Sequence, residues 1–195
     1  MRKDGLFLAP GDPALNVALN EAMKSTLSMT RVFAAGIAPR IQPALVEQFV
    51  RIPLTKHSHD LLGRLDIATD EDLVVDLKTS NRKKNQGDVD RSDQLTFYEA
   101  AFEFETGRSC KGAALEVIVQ TKTPSIQTLH RVGGERDRQI LLAKINTMLT
   151  GLKSGVFLPA APGAWCCSPK YCGYFGSCPF VDSERKAAAE AAFAS

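Results

Sequence analysis

Two neighbouring strand-like segments constrain this chain more than any other feature: Gly63-Arg64-Leu65-Asp66-Ile67-Ala68 and Leu73-Val74-Val75-Asp76-Leu77-Lys78-Thr79-Ser80. Alternate residues of a strand share a face. Asp76 and Lys78 therefore point one way, and Leu73, Val75 and Leu77 the other. Asp66 likewise opposes Leu65 and Ile67. A three-residue connection, Asp70 to Asp72, makes the pair a hairpin and sets Asp66 directly across from Asp76. Two carboxylates and an ammonium then converge on one side. Hard carboxylate oxygens at this spacing suit Mg²⁺ or Mn²⁺. A lysine beside them can orient or deprotonate a water and neutralise charge building on a phosphate. A lone D-x-K tripeptide would equally describe charges on a solvated edge, so its neighbours decide the reading.

Those neighbours form an ordered set. An earlier strand reads Val46-Glu47-Gln48-Phe49-Val50-Arg51-Ile52-Pro53-Leu54, with a carboxylate near its start. After the D-x-K strand comes Gln94-Leu95-Thr96-Phe97-Tyr98. Gln94 and Tyr98, four apart, lie on one face of a helix. Ser92 is its expected N-cap and Gly107 its expected stop. The exposed N–H groups at such a helix start favour a nearby phosphate.

Taken together, these segments resemble the PD-(D/E)XK nuclease superfamily, with the nearest likeness to RecB-type phage exonucleases and to the related nuclease of CRISPR spacer acquisition. The matching pieces are Glu47 on an early strand, G-x-x-D at Gly63 to Asp66, D-x-K-T-S at Asp76 to Ser80, and Q-x-x-x-Y at Gln94 to Tyr98. The likeness extends over roughly residues 35 to 180, through the cysteine-containing stretch from Trp165 to Cys178. It implies an α/β fold, with a mixed central sheet flanked by helices in a restriction-endonuclease-like core. It also implies a Mg²⁺- or Mn²⁺-dependent deoxyribonuclease acting as an exonuclease on single-stranded DNA or DNA ends. In that role Asp66, Asp76 and the Leu77 carbonyl hold metal, joined by Glu47. Lys78 activates water, and Gln94 and Tyr98 position the strand end or backbone. The setting implied is recombination, repair or phage DNA metabolism, with recombination or helicase partners, in the cytoplasm of a bacterial or phage-infected cell.

Net charge is only +2, so the chain as a whole gives no electrostatic argument for nucleic acid. Local charge does. Arg82, Lys83 and Lys84 follow the D-x-K strand directly and would set three cations beside the proposed metal site. At 195 residues, 44% apolar and 24% charged, the chain is ordinary for a globular protein with one substantial core. Its apolar runs are too short for a membrane span, and its start lacks an apolar signal core.

The pattern divides into an N-terminal helical segment at 1–35, a nuclease core at 36–155, a cysteine-containing segment at 156–183 and an Ala-rich tail at 184–195. Helical spacing covers 14–35 as one helix or two. Strands are expected near 46–54, 62–69, 73–79, 113–120 and 126–132, helices at 93–106 and 134–153, and a loop at 80–91.

Of the five cysteines, Cys166, Cys167, Cys172 and Cys178 are clustered and Cys110 stands alone. In a reducing compartment such a cluster points to metal before disulfides. Zn²⁺, an iron–sulfur cluster and simple packing are all open to it. Adjacent side chains diverge, so Cys167, Cys172 and Cys178 are the expected set. In the resembled family a 4Fe–4S cluster joins three such cysteines to a distant one ahead of the core. No cysteine precedes Cys110 here, and none of His57, His59 and His130 matches the family's early histidine, so the start looks shortened by comparison. Two alternatives follow: a catalytically impaired DNA- or partner-binding relative, and a cysteine-based metal-binding module.

Overall fold

The structure, a computed structural model, describes residues 15–161 and 164–194. The chain divides into two compact units, one up to Ile145 and one from Asn146 onward. The first carries helix α1 (Leu15–Gly36), strands β1 (Pro43–Pro53), β2 (Asp60–Thr69) and β3 (Leu73–Ser80), and helices α2 (Gln86–Asp90) and α3 (Asp93–Thr106). Strands β4 (Gly112–Val119) and β5 (Ser125–Arg131) follow. Helix α4 (Glu135–Lys153) begins in this unit, and α5 (Ser183–Ala194) lies in the second. The strands form one sheet in chain order, antiparallel except for the parallel β3–β4 pair. This is the expected mixed α/β architecture. Among the described residues no helix is long and apolar enough to cross a membrane.

The central strands are buried on both sides, as their near-continuous apolar runs require. All eight residues of β4 are buried. On one face Val74, Leu115, Val117 and Val119 pack with Leu95, Tyr98, Ala101 and Phe102 of α3. On the other, Leu77, Thr79, Glu116 and Ile118 face Phe33 and Ile37, from α1 and the turn after it. Gly63 has a steric reason to be glycine: a Cβ there would overlap the Phe97 ring where α3 crosses β2.

One local expectation needed correction. Residues 80–91 are not all loop, because Gln86–Asp90 form the short α2. Its Asn85 and Asp88 make a reciprocal capping box, a signal present in the sequence but passed over among polar residues. The N-terminal helix is one continuous element through Gly36.

In the second unit, Phe175 and Val181 are buried and Arg185 lies over the Phe175 ring. A cavity of about 1220 Å³ is lined there by Phe157, Tyr171 and Phe180 and by Cys166, Cys167, Cys172 and Cys178.

Candidate active site

The site forms where two strands part. β2 pairs with β1 over nearly its whole length, and β3 with β4 over all of its own. Between β2 and β3 only Ile67–Val75 and Ala68–Val74 are paired. The next position along that register holds Asp66 and Asp76, at the mouth of the fork. There the Leu77 N–H has no β2 carbonyl to meet and donates instead to Asp66 Oδ2 at 3.0 Å. The hairpin loop, Asp70 to Asp72, has the expected length.

Strand β1 bends at the same level. Val50 and Ile52 lie toward the core, and so does Leu45, which unbroken alternation would turn outward. Between them Glu47 takes φ 51°, uncommon for a residue with a side chain. The corresponding change on β2 falls between Leu65 and Ala68, at Asp66. Leu65, expected to oppose Asp66, therefore shares the core side with it.

Helix α3 completes the cluster. Ser92 caps it by accepting the Leu95 N–H at 3.2 Å, and Gly107 ends it at φ 68°. That frame directs Gln94 and Tyr98, one turn apart, at the carboxylates. Gln94 Nε2 donates to Asp76 Oδ1 at 3.2 Å and to the Tyr98 hydroxyl at 2.9 Å. The Tyr98 hydroxyl donates to Asp66 Oδ1 at 3.4 Å. Lys78 Nζ reaches Asp76 Oδ1 at 3.0 Å. Asp66, Asp76, Lys78, Gln94 and Tyr98 thus form one network, drawn from two strands and a helix.

Its electrostatics differ from those of a solvated edge. Asp76 is 1% exposed. Burial pushes its carboxyl above the usual aspartate value; the Lys78 ammonium pulls it back, and the Asp66 charge raises it again. Burial likewise raises the Tyr98 phenol, opposed by the Gln94 hydrogen bond and reinforced by both aspartates. The phenol therefore stays protonated and acts as a donor. The Lys78 side chain, 41% exposed, joins this buried charge to solvent.

Glu47 stands apart. Its side chain is 62% exposed and pairs with Arg64 at 3.5 Å. Register sets it opposite Asp66, but the turned backbone sends the carboxylate outward. Among the described residues no three His, Cys, Asp or Glu side chains are grouped to hold a metal ion. That finding covers Glu47 with the aspartates, and it equally covers Cys167, Cys172 and Cys178, which are free thiols. The cysteine set expected for an iron–sulfur centre is therefore not assembled among the described residues. Arg82 and Lys83 are exposed, and the Lys84 backbone is pinned by Gln127 through bonds of 2.8 and 2.9 Å.

One functional support was missed in the sequence. Arg131, at the end of β5, is buried among the ends of α2 and α3. Its Nη1 donates to the carbonyls of Val89, Asp90 and Ser92, and its Nη2 to Glu99 and Asp137. It thereby anchors the start of the helix that carries Gln94 and Tyr98. A single arginine closing an apolar strand carries no local signal for this role.

The family model of the PD-(D/E)XK nuclease superfamily matches residues 9–179. Among solved structures, a protein from Eubacterium rectale with a provisional exonuclease assignment is similar at TM-score 0.55 and 12% identity. The match covers 82% of this chain and 62% of that one, so this chain spans less than two thirds of its length. At that identity the likeness is one of fold. A second structure, SSO0001, is 19% identical at TM-score 0.46, covering 87% of this chain and 73% of that one. No curated protein matches the chain.

Proposed function

The chain belongs to the PD-(D/E)XK nuclease superfamily, and on that premise we propose that it is a metal-dependent DNA exonuclease. The observation that carries this reading is the buried Asp76, held by Lys78 and Gln94 beside Asp66 at the fork of the sheet. Structural needs alone do not explain two neighbouring carboxylates, one of them buried against an ammonium, at such a place.

The donor set fits a divalent cation. Asp66 and Asp76 offer hard oxygens, and the Leu77 carbonyl is the third donor proposed. Burial and the neighbouring aspartate both resist charge on Asp76, a penalty that a cation shared by the two carboxylates would relieve. Bound Mg²⁺ or Mn²⁺ would supply Lewis acidity at the scissile phosphate.

The remaining work belongs to the side chains. Lys78 orients the attacking water and neutralises charge that develops on the phosphoryl oxygens. The Tyr98 hydroxyl and the Leu77 N–H fix the Asp66 carboxylate from two sides, while Gln94 ties Asp76 to Tyr98. In this reading Gln94 and Tyr98 orient the carboxylates as well as the incoming strand. Arg82, Lys83 and Lys84 receive the phosphate backbone. Glu47 joins the metal site by exchanging its exposed, weakly held Arg64 partner.

A second reading, a catalytically impaired DNA-binding relative, draws on the outward turn of Glu47, which leaves two carboxylates at the fork. Incubation of end-labelled linear DNA and of closed circular DNA with Mg²⁺ or Mn²⁺ separates the two. The exonuclease releases labelled mononucleotides or short oligomers from linear strands and spares the circle. Intact linear DNA, bound by folded protein, would favour the second reading.

A further inference from the structure

The connection from β3 to α3 is tied down more firmly than a solvated loop needs, and three of its anchors lie on β5. Gln127 holds the Lys84 backbone twice: its Oε1 accepts the Lys84 N–H at 2.8 Å, and its Nε2 donates to the Lys84 carbonyl at 2.9 Å. Gln86 Nε2 donates to the His130 carbonyl at 2.7 Å. Arg131 donates to the Val89, Asp90 and Ser92 carbonyls. The cations in this fixed segment are nevertheless unengaged. Arg82 and Lys83 are exposed and Lys84 is half-buried. Among the described residues, none of the three side chains is in an ion pair. The nearby acids already have partners: Asp88 accepts the Asn85 N–H at 3.2 Å, and Asp90 the Gln86 amide at 2.8 Å.

Register puts the Lys84 anchor on the side of the sheet that carries the carboxylate network. Lys78 pairs with Val117 and Val117 with Gln127, so the three stand in one row across β3, β4 and β5. Residues in one row share a face. Val117 packs in the core with α3, and Leu129, the next β5 residue on that face, packs against the same core. Asp76, two residues before Lys78, shares the face and meets Gln94 of α3. Gln127 therefore stands on the α3 face, two strands from Lys78, about 10 Å across the sheet at ordinary strand spacing. We propose that Gln127 is a positioning residue, holding Arg82, Lys83 and Lys84 as a preformed clamp for backbone phosphates of the strand whose scissile phosphate meets Lys78. The proposal rests on the nuclease reading above and names what fixes its phosphate-binding segment. An anion gains most from cations whose backbone is already ordered, because the entropy of ordering is then lost on folding rather than on binding. A neutral amide suits the task. It offers one acceptor and one donor, the complement of one residue's N–H and C=O, and adds no charge that would oppose a phosphate.

The test measures binding of a fluorescein-labelled single-stranded oligothymidylate to the whole chain without added metal. Gln127→Leu should weaken binding about tenfold, the scale of ordering the backbone of one residue. The triple replacement Arg82→Gln, Lys83→Gln and Lys84→Gln should flatten the salt dependence, lowering its logarithmic slope by about 2, for three phosphate contacts at about 0.7 each. Gln127→Leu added to the triple replacement should weaken binding less than twofold further, since the residue acts only through those cations. Amide exchange of wild type supplies a measure that needs no variant: the Lys84 N–H should exchange more slowly than that of Lys83. Unweakened binding by Gln127→Leu, or an unchanged salt slope in the triple variant, would overturn the clamp. A full tenfold loss from Gln127→Leu in the triple background would make its role structural and overturn it too, as would a Lys84 N–H that exchanges as fast as that of Lys83. Wild type that shows this binding pattern yet degrades no DNA with Mg²⁺ or Mn²⁺ would refute the nuclease reading and leave the clamp standing.

Discussion

Asp76→Asn is expected to lower DNA hydrolysis by roughly 10³-fold or more, the scale of losing several kcal/mol of charge stabilisation, while the metal-free protein unfolds at the same temperature or higher. The two effects have one cause. Asp76 is 1% exposed, and burial raises its carboxyl above the usual value despite Lys78. An acid whose folded-state pKa is raised binds more protons folded than unfolded across the window between the two values. Its favourable contribution is complete below the unfolded value and is lost as pH rises through the folded one. Asparagine keeps the shape and removes the charge, so the variant should gain on wild type as pH rises through that window. The gain is about 1 kcal/mol for each tenfold by which folding weakens the acid. Mn²⁺ should raise the melting temperature of wild type and leave the variant unmoved. A variant several degrees less stable than wild type at neutral pH would show that the ionised Asp76 stabilises the fold rather than serving chemistry.

The largest expected loss of stability is at Arg131. Arg131 and Glu99 are each 3% exposed at the side chain, with Nη2 and Oε2 at 3.2 Å. Glu99 also accepts the Gly133 N–H at 3.1 Å, and burial still raises its carboxyl above the usual value. Arg131→Met removes the cation and the guanidinium's bonds to the Val89, Asp90 and Ser92 carbonyls. It leaves Glu99 buried with only the Gly133 N–H and the more distant Arg138 charge for compensation. Removing one partner of such a pair costs about 3–5 kcal/mol. The double replacement Arg131→Met with Glu99→Gln should cost less than the sum of its parts, because the stranded charge is gone. Denaturant titration of all four proteins measures both quantities. A single-variant loss under about 1 kcal/mol would mean that solvent reaches the pair.

Much of this fold was legible because its elements carry strong local signals. Helix α3 matched its expected span at both ends, since Ser92 and Gly107 each fix a boundary by a specific hydrogen bond or backbone angle. The hairpin register followed from loop length, and β3 keeps its alternation while β2 breaks it at Asp66. What escaped was non-local. Glu47 occupies the position that register predicts, yet a left-handed backbone angle directs its side chain away, and no residue type there announces that angle. The Arg131 hub depends on three elements meeting at one guanidinium. The cavity under α1 exists only once that helix is laid on the sheet. The expected set of Cys167, Cys172 and Cys178 lines one cavity in the second unit but is not grouped as a metal site among the described residues, because spacing fixes nearness along the chain and not side-chain direction.

The most direct test of the central claim is digestion of end-labelled single- and double-stranded DNA with Mg²⁺ or Mn²⁺, wild type beside Lys78→Ala. Lys78 is 41% exposed, so its loss should leave the fold intact. Release of mononucleotides or short oligomers by wild type alone is the predicted result. Equal release by both proteins would contradict a hydrolytic site built on Asp66, Asp76 and Lys78.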